Sequence, residues 1–212
     1  SDGETLIIDT GFNRPECKQA LFDGLDELQV DFTHTKLFLT HLHGDHSGLT
    51  EELTVRGVPV FMNAIDYNYL CQELASGGWQ AMEQIFLSEG FPIEEIEKQK
   101  KGNQARLYSP HHPFPASKVS NSDLLTVGGI TLRCIHTPGH TPGHTCLYIE
   151  EKEILFSGDH ILFDITPNIS VWRNVPYSLA DYLESLQKIK CLKVSHTFPG
   201  HREFHGDIQD RI

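Results

Sequence analysis

His41, His43, Asp45 and His46 fall within six residues of one another in KLFLTHLHGDHSGLTEEL, Lys36 to Leu53, directly behind an apolar run that reads as a buried strand. Imidazoles and a carboxylate in that number are metal donors or general bases, and desolvating them together without a cation is costly. His41 and His43 are one residue apart, so in extended backbone they point the same way, and two imidazoles reach one ion at about 2.0–2.1 Å. Gly44 permits a sharp turn that redirects Asp45 and His46 toward a second position.

Three later stretches repeat the arrangement of strand, turn and polar side chain: IHTPGHTPGHT with His136, His140 and His144, LFSGDH with Asp159 and His160, and TFPGHREFH with His201 and His205. Each is weak alone. With Asp9 in IIDTG, the HxHxDH of His41 to His46, the TPGH of His140, the SGD of Asp159 and the PGH of His201, the chain resembles the metallo-β-lactamase superfamily from Leu6 to His201. That resemblance implies one metal held by His41, His43 and His140, a second by Asp45, His46 and His201, and Asp159 bridging them. Asp9 resembles the family's supporting residue behind the cluster. Two dications about 3.5–4 Å apart share a water, lower its pKa from about 15.7 toward about 7 and polarise the oxygen it attacks. Donors of nitrogen and oxygen without thiolate suit Zn²⁺ first, and tolerate Fe²⁺, Mn²⁺ or Co²⁺.

The implied activity is that of a hydrolase in which the hydroxide attacks an ester-like bond, a thioester or lactone before a phosphodiester. The catalytic residues expected are Asp45, which positions the nucleophile, Asp159, and His160, which follows the bridging carboxylate and is placed to meet substrate or leaving group. True metallo-β-lactamases of the commonest class carry cysteine where this chain has Asp159. The bridging-Asp pattern looks more like the glyoxalase II, lactonase and endoribonuclease-like groups. Rival readings are a phosphodiesterase or ribonuclease of the same fold, a mononuclear iron oxygenase resembling the persulfide dioxygenases, and a binding module that kept the fold. His34, His111, His112, His196 and His205 read as surface or structural. His136 and His144 flank His140 and read either as donors supporting the ligands or, on turns that readily face outward, as surface residues.

The elements that must position these groups are short. TLIIDTG, KLFLT, VPVFMN, ITLRCIHT, TCLYIE and EILFSG read as strands, with VSHTF weaker. Helices are expected at Pro15 to Glu27, with proline in its first turn, and at Ser178 to Lys190, where Ser178 and Asp181 are spaced like a capping box and Leu179, Leu183, Leu186 and Ile189 form one stripe. From Ala64 the chain turns helical and then loop-like through YSPHHPFPAS. Residues 64–117 therefore read as an insertion between two strand-rich halves and a candidate lid, with Tyr67, Tyr69, Trp79 and Phe86 as its bulky residues. The fold class expected is α/β, a four-layer αβ/βα sandwich with this helical insertion between the HxHxDH and TPGH motifs.

A chain of 212 residues, 39% hydrophobic and 22% charged, supports one domain spanning 1–212. The net charge of −12 opposes adhesion to polyphosphates, so a small-molecule substrate is expected and nucleic acid is not. No apolar run approaches the ~20 residues of a membrane helix, and five unpaired-looking cysteines suit reduced thiols, which together read as a cytoplasmic protein. Ser1 opens almost on a strand and Ile212 stops abruptly, a pattern expected of trimmed ends.

Overall fold

The computed structural model describes residues 3–76, 78–203 and 207–212. Two sheets face each other. The first is all parallel, in the order β1 (Thr5–Ile8), β2 (Thr35–Leu39), β3 (Val60–Asn63) and β4 (Ser117–Val119). The second is β5 (Leu124–Val127), β6 (Ile130–His136), β7 (Thr145–Ile149), β8 (Ile154–Gly158) and β9 (His196–Pro199), antiparallel except for the parallel β8–β9 pair.

Parallel neighbours need crossovers, and these supply the first helical layer. β1 leads through α1 (Pro15–Glu27) to β2, and β2 through α2 (Gly44–Ser47) and α3 (Thr50–Thr54) to β3. β3 then leads through α4 (Ala64–Ser76), α5 (Gly78–Ser88), α6 (Ile93–Gly102) and α7 (Gln104–Tyr108) to β4. α8 (Ser178–Lys190) and α9 (Ile208–Arg211) belong to the second half.

Side-chain alternation builds three apolar layers from these elements. On β2, Leu37 and Leu39 join Ile7, Val60 and Met62 under Leu25 of α1, Leu53 of α3 and Leu70 of α4. Phe38, in register with Ile8 and Phe61, faces the other way, into the space between the sheets, and meets Leu132, Leu147 and Ile149. The opposite faces of β6, β7 and β8 put Ile135, Cys146, Tyr148 and Leu155 against Ile189 of α8 and Ile208 of α9. Helix, sheet, sheet, helix is the expected four-layer α/β sandwich. KLFLT is apolar throughout because both faces of its strand are covered.

Several expectations need correction. The segment 64–117 is a crossover within the first sheet, because Ser117–Val119 pairs with β3 and completes that sheet. β5 is an additional strand, joined to β6 by Gly128-Gly129 with φ of 52° and 74°, the left-handed pair that a two-residue hairpin requires. α8 forms no capping box: Tyr177 precedes it, Ser178 is buried inside its first turn, and Asp181 N–H bonds to Tyr177 O. Its inward face is also rotated, leaving Leu179 and Leu183 60% and 54% exposed. The cause is the TPGH loop, since Ser185 Oγ donates to Pro138 O at 2.9 Å and a Cβ on Gly139 would strike Tyr182. Among the described residues no helix is long and apolar enough to cross a membrane.

Phe38 is wholly buried at the centre of the inter-sheet layer. Phe38→Ala is expected to cost about 3–5 kcal/mol of stability, read from the urea midpoint at unchanged m-value. A loss below about 1 kcal/mol would contradict this packing.

Candidate metal centre

The polar ends of the strands meet along one edge of the sandwich. β2 stops at Leu39 and the chain bends through Thr40 to Leu42, placing wholly buried His41 with its Nε2 3.0 Å from Nδ1 of His43. Asp45 and His46 then ride on α2 and face the other side. Gly44 is helical rather than a special turn residue. What it supplies is room, because a Cβ there would stand 2.6 Å from Ser109 Oγ, at the end of the crossover.

The second sheet delivers the partners. His140 comes from the loop after β6, Asp159 follows β8, and His201 follows β9. His41, His43 and His140 form one group whose ligand atoms all lie within 4.8 Å of one another, as do Asp45, His46 and His201. Asp159 stands between them. Its Oδ2 is 3.4 Å from Nε2 of both His140 and His201, and its Oδ1 is 3.3 Å from His46 Nε2. All seven residues expected as ligands therefore converge.

Hydrogen bonds set the tautomers. Asp9, at a left-handed φ of 62°, accepts from Thr40 N–H at 2.8 Å, from the Thr40 hydroxyl at 2.7 Å and from His46 Nδ1–H at 2.8 Å. With its hydrogen given to Asp9, Thr40 Oγ1 accepts from His41 Nδ1–H at 3.0 Å. His140 Nδ1–H donates to Asn168 O at 2.7 Å. Nε2 of His41 and His140 is thereby left with its lone pair toward the cluster, that of His140 buried without a hydrogen-bond partner, while Nε2 of His46 points at Asp159 Oδ1. Imidazole nitrogens aimed at an ionised carboxylate are the donor set a divalent cation takes up, so the residues fit the metals implied by their pattern.

The electrostatics divide the site. Burial holds His41 and His140 below the usual histidine range and His43 down at about 3, so these imidazoles are neutral at pH 7. Burial also opposes charge on His46, but Asp9 and Asp159 outweigh it and raise its pKa. Hydrogen bonds to Asp159 and Asp45 lift His201 to about 9. One end is thus neutral, and the other holds its protons at pH 7.

His160 is not brought to the cluster opening. Its ring is wholly buried behind His144, 6.0 Å between centroids, and against Tyr182 of α8 at 5.1 Å. Packing there separates it from any incoming substrate, which corrects its expected contact with the leaving group. His144 is also wholly buried, its Nε2 accepting Asp159 N–H at 3.1 Å and its Nδ1 2.8 Å from Thr137 Oγ1, so it orients the Asp159 backbone. His136 bonds Pro142 O at 2.9 Å, whereas His34, His111, His112 and His196 are exposed; His205 lies outside the described residues. Trp172, unmarked in the sequence, stacks on His43 with centroids 5.9 Å apart and donates Nε1–H to His140 O at 3.1 Å. Tyr69 of α4 packs edge-on against it at 5.8 Å.

A model of the metallo-β-lactamase superfamily matches residues 1–201. The chain belongs to this superfamily. A metallo-β-lactamase family protein of Thermus thermophilus superposes with a TM-score of 0.83 at 30% identity, over 96% of this chain and 67% of that one. In sequence, an atrochrysone carboxyl ACP thioesterase of a Cryptosporiopsis species is 27% identical over 99% of this chain and 49% of its own length. A β-lactamase-like protein 2 homolog of Caenorhabditis elegans is 29% identical over 98% of this chain and 54% of its own. The chain thus spans about half the length of these superfamily relatives.

Because His201 keeps its proton up to about pH 9, a metal bound by Asp45, His46 and His201 must displace it. Affinity at that end is expected to rise at least about tenfold per pH unit between pH 6 and 8, with proton release seen by calorimetry in buffers of different ionisation enthalpy. Affinity at the His41, His43 and His140 end stays nearly flat over the same range. Uptake without proton release at either end would contradict the assignment.

Proposed function

We propose that the chain is the catalytic domain of a hydrolase using two divalent ions, Zn²⁺ first among them, to cleave an ester-like bond, a thioester or lactone before a phosphodiester. The observation that carries this is Asp159, poised between two three-residue groups with imidazole nitrogens turned toward it. Two ions held there would supply an activated water and polarise the carbonyl oxygen under attack.

The chain's own residues do the rest. His41, His43 and His140 hold one end and Asp45, His46 and His201 the other, with Asp159 common to both. Asp45, 30% exposed and 3.3 Å from His201 Nε2, faces the opening and orients the attacking water's hydrogen. The oxygen of that water bonds to the acyl carbon, the carbon–sulfur or carbon–oxygen bond breaks, and the leaving group departs with a proton. Trp172 and Tyr69 wall the mouth beside His43, and the crossover carrying Tyr69 serves as its cover. The relative named as an ACP thioesterase favours a thioester over a phosphodiester.

The test is a panel of acyl thioesters, lactones, phosphodiesters and β-lactams assayed with Zn²⁺, Mn²⁺ and Fe²⁺. Turnover of a thioester or lactone is expected, with Asp45→Ala and Asp159→Ala each lowering kcat/KM by about 10²-fold or more. Activity surviving both substitutions, or thiol-dependent oxygen uptake with iron in place of hydrolysis, would overturn the reading.

A further inference from the structure

One buried carboxylate lies outside the groups that face the cluster. Asp66, in the first turn of α4, is wholly buried. Its Oδ2 accepts Leu42 N–H at 3.0 Å and the Thr141 hydroxyl at 2.6 Å, and its Oδ1 accepts Gly143 N–H at 2.5 Å. These partners are in telling places. Leu42 sits between His41 and His43, Thr141 follows His140, and Gly143 precedes His144. A single side chain from the crossover therefore joins the loop of the first sheet to the loop of the second, at the positions that carry three imidazoles of one end.

The fit is close. A Cβ on Gly143 would stand 2.4 Å from Asp66 N and 2.7 Å from its Oδ1, so the loop reaches the carboxylate only because residue 143 is glycine. All three donors are neutral, and an ionised carboxylate with no cation beside it is costly to bury. Burial accordingly pushes its pKa up to about 6. Asp9 is its counterpart at the other end, where it bonds His46 directly. Asp66 acts through two backbone N–H groups and the Thr141 hydroxyl of the ligand loops.

We propose that Asp66 is a positioning residue for one end of the centre only: its three hydrogen bonds hold the His41/His43 loop and the His140 loop at the separation at which their imidazoles share an ion. This rests on the metal-centre reading above. Besides the clasp the two loops are tied by Trp172 and by Thr145 N–H donating to Thr40 O at 2.9 Å, outside the ligand positions, so the cost of losing Asp66 falls on the end that draws ligands from both.

Cobalt titration of the whole chain, followed by its visible absorption bands, tests this in two backgrounds. His201→Ala weakens the Asp45/His46 end and leaves His41, His43 and His140, and His140→Ala does the reverse. Asp66→Ala is expected to weaken Co²⁺ binding about 10–100-fold in the His201→Ala background and less than about threefold in the His140→Ala background. Asp66→Asn, which keeps the shape but turns an amide hydrogen toward an N–H donor, should show a smaller loss with the same selectivity. It also preserves the test should Asp66→Ala fail to fold, as checked by circular dichroism. Equal losses in both backgrounds, or wild-type affinity in both, would overturn the inference. A parent chain that takes up no Co²⁺ would instead overturn the metal-centre reading, and this inference with it.

Discussion

Everything at the edge of this sandwich is organised around one electrostatic problem, the placing of Asp159 within 3.4 Å of three imidazoles in a site open to water on its Asp45 and His201 side. Bare, such a cluster puts opposite demands on its two ends. Burial strips charge from His41, His43 and His140, while the carboxylates force it onto His46 and His201. Cations held at the two ends, as proposed, would meet both demands, replacing the protons at one and taking up the idle lone pairs at the other. The two sheets must then meet at a fixed distance. His41, His43, Asp45 and His46 belong to one sheet, and His140, Asp159 and His201 to the other.

That distance is held from behind rather than from within. Asp9 reaches across β1 and β2 to fix Thr40, His41 and His46 in one chain of hydrogen bonds, and β1 contributes it from an αL backbone that non-glycine residues seldom adopt. His144 fixes Asp159 by its backbone N–H, and Asn168 fixes His140 by its carbonyl. The orienting groups are thus a carboxylate, an imidazole and a carbonyl, each from a different segment. The loop 161–177, featureless as a pattern, supplies two of the contacts that hold His140, from Asn168 and Trp172.

The division between what could and could not be foreseen follows from this. Ligands lie at strand ends in short, dense motifs, because the geometry of two or three donors around one ion is local to a turn, so HxHxDH, TPGH, SGD and PGH are readable one by one. Supports are contacts between segments far apart in the chain, such as Asp66 to Thr141, 75 residues away, and leave no spacing to recognise. His160 misled because adjacency to Asp159 says nothing about direction: in the turn after β8 the two side chains diverge, and Tyr182 of α8 packs against this one. The leucine stripe of α8 misled in kind. A helical period locates an apolar face, but here Ser185 and Tyr182 win the inward side by fitting the Pro138–Gly139 turn. The Gly128-Gly129 pair is a local hairpin signal of the readable kind, yet β5 before it goes unread because LLTV is short and preceded by polar residues.

The crossover from β3 to β4 joins the two tasks of the site. At its start Asp66 pins the ligand loops and, one turn later, Tyr69 backs Trp172 and donates its hydroxyl to Arg173 O. At its end Tyr108 O accepts Asn13 N–H, and Ser109 lies against Gly44, which opens the helix carrying Asp45 and His46. The wall that a substrate would meet and the frame that spaces the ligands are therefore one continuous segment. Changes in it made to suit a new substrate act on the ligand loops as well. A crossover of this kind varies in sequence at its exposed helices α5 and α6 far more cheaply than at either anchor, where backbone of the ligand loops is in direct contact with it.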